Sequence, residues 1–137
     1  MPGFAIVRAD EVDDYYAGSD VPGEFRPLTD ALGAEQVAVT LIRVPPHSDF
    51  EQGTGHRHSE VEELYIVARG TITFRCGDQV EKVAAPAVVR VSPETPRSHR
   101  NEGDEPVEIW AVSVAGHQDA IKIDDFWEAS PDAKQTR

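Results

Sequence analysis

Two imidazoles and a carboxylate lie close together in the stretch Gly55-His56-Arg57-His58-Ser59-Glu60-Val61-Glu62-Glu63. In an extended chain, residues two apart project to the same side, so His56 and His58 converge while Arg57 points away. Glu63 opens the next β-rich run and shares a face with Tyr65 and Val67, which lets it turn to the same interior. Two histidines and a carboxylate with open positions suit Fe(II), and they also serve Mn, Ni or Zn. A metal requires such convergence because neutral or deprotonated donors must meet its charge at about 2.0–2.2 Å. Without a metal, Glu63 reads as a buried carboxylate paired with Arg97 or a histidine and available for acid–base work. Tyr65 either hydrogen-bonds a substrate or packs with its hydroxyl satisfied.

These side chains need strands to hold them. β-rich runs recur between turn signals: Gln36–Val44 before Pro45-Pro46, Glu62–Ala68 before Arg69-Gly70, and Thr71–Cys76 before Gly77-Asp78. Val80–Ala84, Ala87–Ser92 and Val107–Ala115 continue the series, which predicts an antiparallel sandwich or barrel. Alternation in Thr71–Cys76 puts Ile72 and Phe74 on a packed face and Thr71, Thr73 and Arg75 on a polar one. Gly77-Asp78 reads as a hairpin, and Gly103-Asp104-Glu105-Pro106 as the turn into the last long strand. Ahead of the series, Phe4–Leu32 shows no clean period and reads as an irregular arm with one early strand at Phe4–Arg8. Behind it, Ile121, Ile123, Phe126 and Trp127 form an apolar patch expected to dock on the barrel, with fraying after Ser130.

Composition narrows the function classes. At 137 residues the chain accommodates one domain and one core. No apolar run approaches the roughly 20 residues of a membrane span, and no basic-then-apolar leader opens the sequence, so a cytoplasmic setting is expected. Cys76 is the only cysteine, which excludes an internal disulfide framework and a cysteine zinc cage, and it reads as a structural thiol. A net charge of -12 repels phosphate backbones and anionic headgroups, so neither nucleic acid nor membrane is an expected partner. Lys82, Lys122 and Lys134 are the only lysines; an acidic, lysine-poor composition fits a high-salt source and equally a GC-rich genome.

The order H-x-H-x4-E-x6-G, from His56 through His58 and Glu63 to Gly70, resembles the first motif of the cupin family. The likeness extends from about Gln36 to Val114, although Phe50 stands where the motif places a glycine before the first histidine. The second cupin motif is only partly present. Ala87 and Thr95 replace its two glycines, and counting four back from Asn101 puts Arg97 in the slot of the remaining histidine ligand. His99 stands two residues further on, displaced by about 6.6–7 Å along a strand. Three arrangements stay open: His99 reaches a metal through a bulge, three ligands leave an extra open position, or Arg97 disfavours a cation and instead grips a carboxylate or phosphate.

The resemblance implies an all-β double-stranded β-helix, the jelly-roll cupin barrel, over residues 36–116, with an amino-terminal arm over 1–35 and a tail over 117–137. It also implies a divalent metal in the barrel mouth and a homodimer. A metalloenzyme of the dioxygenase, isomerase or decarboxylase type would act on a small oxygenated or carboxylate-bearing molecule. A metal-free module for an organic acid or sugar is the alternative, and a purely structural dimerisation barrel is a third.

Overall fold

The computed structural model describes residues 3–116 and 119–128. Two five-stranded antiparallel sheets face each other. One runs in the order β1 (Glu24–Pro27), β2 (Val37–Val44), β9 (Val107–Val114), β4 (Glu63–Arg69), β7 (Ala87–Val91). The other runs β10 (Ile121–Ile123), β3 (Gly55–Arg57), β8 (Arg97–Arg100), β5 (Thr71–Cys76), β6 (Gln79–Ala84). Alternating positions of both sheets meet between them: Ile42, Tyr65 and Val67 from the first, Ile72 and Phe74 from the second. No helix among the described residues is long and apolar enough to cross a membrane.

The turns follow the chain's local chemistry. β5 and β6 are joined through Gly77-Asp78, with Cys76 opposite Gln79, a two-residue connection in which Gly77 takes φ 56°. Gly70, at φ 81° between β4 and β5, is required twice over, because a Cβ there would also stand 2.6 Å from the Pro106 carbonyl. Asn101 is a hub behind the loops: its amide donates to the carbonyls of Val44, Pro45 and Glu105, and its side-chain oxygen accepts from the Gly103 amide.

The structure departs from the sequence expectations in two places and adds to them in a third. Phe4–Arg8 forms no strand; Phe4 and Ile6 are exposed and no sheet edge pairs with them. The polar face of β5 is itself covered, since Thr73 and Arg75 are both buried. Thr73 donates to Glu102, and the Arg75 guanidinium lies 4.7 Å from the centroid of the Phe126 ring, so the carboxy-terminal segment roofs this face. Finally, β1, β3, β8 and β10 are strands that composition does not announce. β8, Arg-Ser-His-Arg, falls outside the β-rich runs read from composition but is held between β3 and β5.

The apolar patch of the tail docks mainly through its aromatic pair. Phe126 is 1% exposed and Trp127 donates to Ser98, whereas Ile121 stays partly exposed on β10. The segment beyond Ser130 lies outside the described residues.

Candidate metal centre

The donors His56, His58 and Glu63 converge, each offering an atom within 4.8 Å of the others. His56 sits on β3, His58 just beyond it, and Glu63 begins β4 in the opposite sheet. The site is therefore built where the two sheets approach. Gly55 permits that approach on the outer side, because a Cβ there would stand 2.6 Å from the Phe126 ring.

The separations suit one ion. The Glu63 Oε1 atom lies 3.6 Å from His58 Nε2 and 3.8 Å from His56 Nε2. Donors about 2.1 Å from a shared ion stand roughly 3.0–3.6 Å apart at angles between a right angle and a trigonal one. The Glu63–His58 separation is at the open end of that range and the Glu63–His56 separation lies just beyond it, so an inward turn of the rings is needed to close on an ion.

Outer hydrogen bonds orient both rings. His58 Nδ1 is 3.1 Å from the Asp119 carbonyl, which can only accept, so Nδ1 carries a proton and Nε2 faces the site. Asp119 is itself held by Ser59, whose backbone amide and hydroxyl both donate to its carboxylate. His56 Nδ1 lies 2.7 Å from Glu51 Oε1, which leaves His56 Nε2 facing Glu63. The Tyr65 hydroxyl donates to Glu63 Oε1 and is 3.3 Å from His56 Nε2. A histidine whose second nitrogen is tied to a carboxylate or carbonyl is the arrangement that fixes a metal ligand's tautomer.

Electrostatics agree with the geometry. Burial opposes a charged His56, but the Glu51 and Glu63 carboxylates overcome it and hold the imidazole up at about 9. Burial likewise opposes the Glu63 charge, and the two histidines and Tyr65 hold its carboxyl well below the usual carboxylate range. Burial, reinforced by the Glu63 charge, pushes the Tyr65 phenol up, so it remains a neutral donor. The centre thus carries a cationic His56 between two carboxylates.

The other expected site residues fall elsewhere. Arg97 lies opposite His56 across the β3–β8 pair and is fully buried, with its Nη2 3.5 Å from the Ser92 carbonyl. It does not line the cavity that His56, His58, Glu63 and Tyr65 face. His99 does line that cavity, but its nitrogens do not join the three converging donors, and β8 pairs with β5 without a register shift. Burial lowers the His99 pKa, keeping the ring neutral. Two contributors were missed from sequence. Glu51 was legible only as an acid five residues before His56, and Asp119 acts through its backbone, which leaves no residue-type signal.

The chain's sequence matches the model of the cupin domain over residues 40–114, more than half its length. This chain belongs to the cupin domain family. No curated protein matches it in sequence. Among solved structures, this cupin resembles a polyketide cyclase from Streptomyces resistomycificus with a TM-score of 0.74 and 15% identity, over 95% of this chain and 96% of that one. It also resembles a sugar phosphate isomerase from Silicibacter pomeroyi, with a TM-score of 0.68 and 19% identity over 88% and 87% of the two chains. A predicted oxalate decarboxylase from Thermotoga maritima gives a TM-score of 0.65 and 22% identity over 80% and 98%. At these identities the likeness establishes the double-stranded β-helix fold, which hosts different chemistries in different cupins.

Proposed function

We propose that this cupin is a metal-dependent enzyme acting on a small oxygen-bearing molecule, with His56, His58 and Glu63 as the protein ligands. The observation that carries the reading is the pair of outer hydrogen bonds, Glu51 to His56 and the Asp119 carbonyl to His58, which turn both Nε2 atoms toward one carboxylate oxygen. The donor set fits Fe(II), Mn, Ni or Zn. Such an ion would supply Lewis-acid polarisation of a substrate carbonyl or enol oxygen, or an oxygen-binding centre.

The chain's own groups have separate tasks. Tyr65 steadies Glu63 through its hydroxyl, and Glu51 keeps the proton of His56 on Nδ1 when Nε2 gives up its own. His99 presents a neutral imidazole to the cavity, positioned to accept a hydrogen bond from substrate or to relay a proton. The buried Arg97 charge favours the anionic state of neighbouring groups, as its influence on Tyr65 illustrates.

One observation favours a second reading, a metal-free binding module. The cationic His56 already neutralises part of the Glu51 and Glu63 charge, so the site is electrostatically tolerable without an ion. Elemental analysis separates the two. Protein purified without a histidine tag and reconstituted anaerobically with Fe(II), Mn(II) or Ni(II) is expected to retain close to one ion per chain. Sub-stoichiometric metal that fails to rebind would sink the enzyme reading.

A further inference from the structure

The cavity in front of the metal centre has a volume of about 720 Å³, within the range that accommodates drug-sized organic ligands. Its walls are chemically unequal. Toward β3 and β4 stand the histidines, Glu63 and Tyr65; toward β1 and β2 stand Phe25, Ile42 and, from the preceding arm, Tyr16 and Val21.

The aromatic residues form a continuous row. The Tyr16 and Phe25 rings meet edge to face at 5.7 Å, and Phe25 stacks on Phe50 at 6.1 Å with planes 13° apart. Phe50 in turn stacks on His99 at 6.2 Å and 18°, and His99 lies 6.2 Å from Tyr65, the hydroxyl of which bonds Glu63. Near-parallel faces of Phe25, Phe50 and His99 thus lie between Tyr16 and Tyr65, each of which meets the row edge to face, and all of these residues line the cavity.

The charged groups on the wall are poorly suited to anions. A carboxylate or phosphate is best held by a guanidinium fork, and among the described residues no arginine lines this cavity; Arg97 is fully buried, with its Nη2 3.5 Å from the Ser92 carbonyl. Among the described residues Lys122 is the only lining lysine, and its ammonium extends toward Asp124 at 3.5 Å with the side chain 71% exposed. Glu51 and Glu63 add negative charge. A divalent ion would do little more than balance these two carboxylates, and a small dianion would leave most of the apolar volume unfilled.

We propose that the cavity takes a planar aromatic molecule bearing a phenolic or enolic oxygen. Its ring would lie along the Phe25–Phe50–His99 row and its oxygen point to the His56–His58–Glu63 cluster, while small dicarboxylates and phosphate esters are rejected. The placement of the oxygen rests on the metal reading; the aromatic face does not.

The test uses the full chain reconstituted with Zn(II), its zinc content measured on the same sample, titrated calorimetrically with 2,3-dihydroxynaphthalene, oxalate and glucose 6-phosphate. The naphthalene diol is expected to bind and the two anions to bind at least about tenfold more weakly, as expected if a missing binding partner costs on the order of 1–3 kcal/mol. Phe25→Leu keeps an apolar side chain but removes the ring, and should weaken the diol about two- to tenfold at unchanged zinc content. Preferential binding of oxalate or glucose 6-phosphate, no diol binding with zinc in place, or a diol affinity indifferent to Phe25→Leu overturns the inference. Diol binding that depends on Phe25 in protein that holds no zinc supports the aromatic site and overturns the metal reading alone.

Discussion

Metal binding to this site has to compete with a proton on His56. The imidazole is held at about 9 by its two carboxylate neighbours, so near neutrality the Nε2 lone pair must be freed before it can ligate. Removing that proton at pH 7 costs about 3 kcal/mol, which lowers the apparent affinity roughly 100-fold relative to the fully deprotonated ring. Apparent affinity should therefore rise about tenfold per pH unit between pH 7 and 9 and level off above. Glu51→Gln removes the first of the carboxylates that outweigh burial, so the His56 pKa falls and the plateau begins at a lower pH. The plateau itself should drop about 10- to 100-fold, because the ligand loses its outer partner. Chelator competition with buffered free Zn(II) across pH 6.5–9.5 reads both quantities. A flat wild-type profile, or a profile that Glu51→Gln leaves in place, would refute the reasoning.

Other expectations follow from the same contacts. In the metal-free protein, the raised His56 pKa adds stability that is complete below its ordinary value of 6.5 and disappears as pH rises through about 9. Glu63 runs the other way, its contribution present above 4.5 and lost as pH falls, so urea unfolding should show maximal stability from these groups between the two windows. His58→Ala should abolish nearly all metal binding, while His99→Ala, outside the donor cluster, should leave the ion bound; equal losses by elemental analysis would make His99 a ligand. Tyr65→Phe should keep one ion per chain but weaken it about 10- to 100-fold, since it removes the hydroxyl that steadies Glu63. Phe126→Ala should cost about 3–5 kcal/mol in chemical denaturation, because the ring fills the space between Gly55 and Arg75; a cost below 1 kcal/mol would mean that the carboxy-terminal segment does not roof the sheet.

The His56–His58–Glu63 cluster was legible because its signal is local. His56 and His58 share a parity, Glu63 opens a recognisable strand, and Gly70 marks a turn that only a residue free at positive φ can make. The partners of those donors were not legible, for reasons of chain geometry. Glu51 reaches His56 through a turn in which Gln52 and Gly53 both take positive φ, a conformation that residue types alone do not announce. The Asp119 carbonyl is positioned by β10 pairing with β3, a contact between segments more than sixty residues apart. Period-two alternation in β5 identified the Ile72–Phe74 face and a polar face opposite, but alternation cannot reveal that Phe126 covers the polar one. The amino-terminal arm posed the same problem: Tyr16 and Phe25 read as irregular sequence, and only the pairing of β1 with β2 shows them as part of the cavity wall.

The most direct test of the central claim is X-ray absorption at the metal edge of the reconstituted, tag-free protein. The account predicts a first shell with two imidazole nitrogens and at least one oxygen at about 2.0–2.2 Å, with the imidazole signal reduced in His58→Ala. A bound ion whose spectrum contains no imidazole, or is identical in His58→Ala, would contradict it.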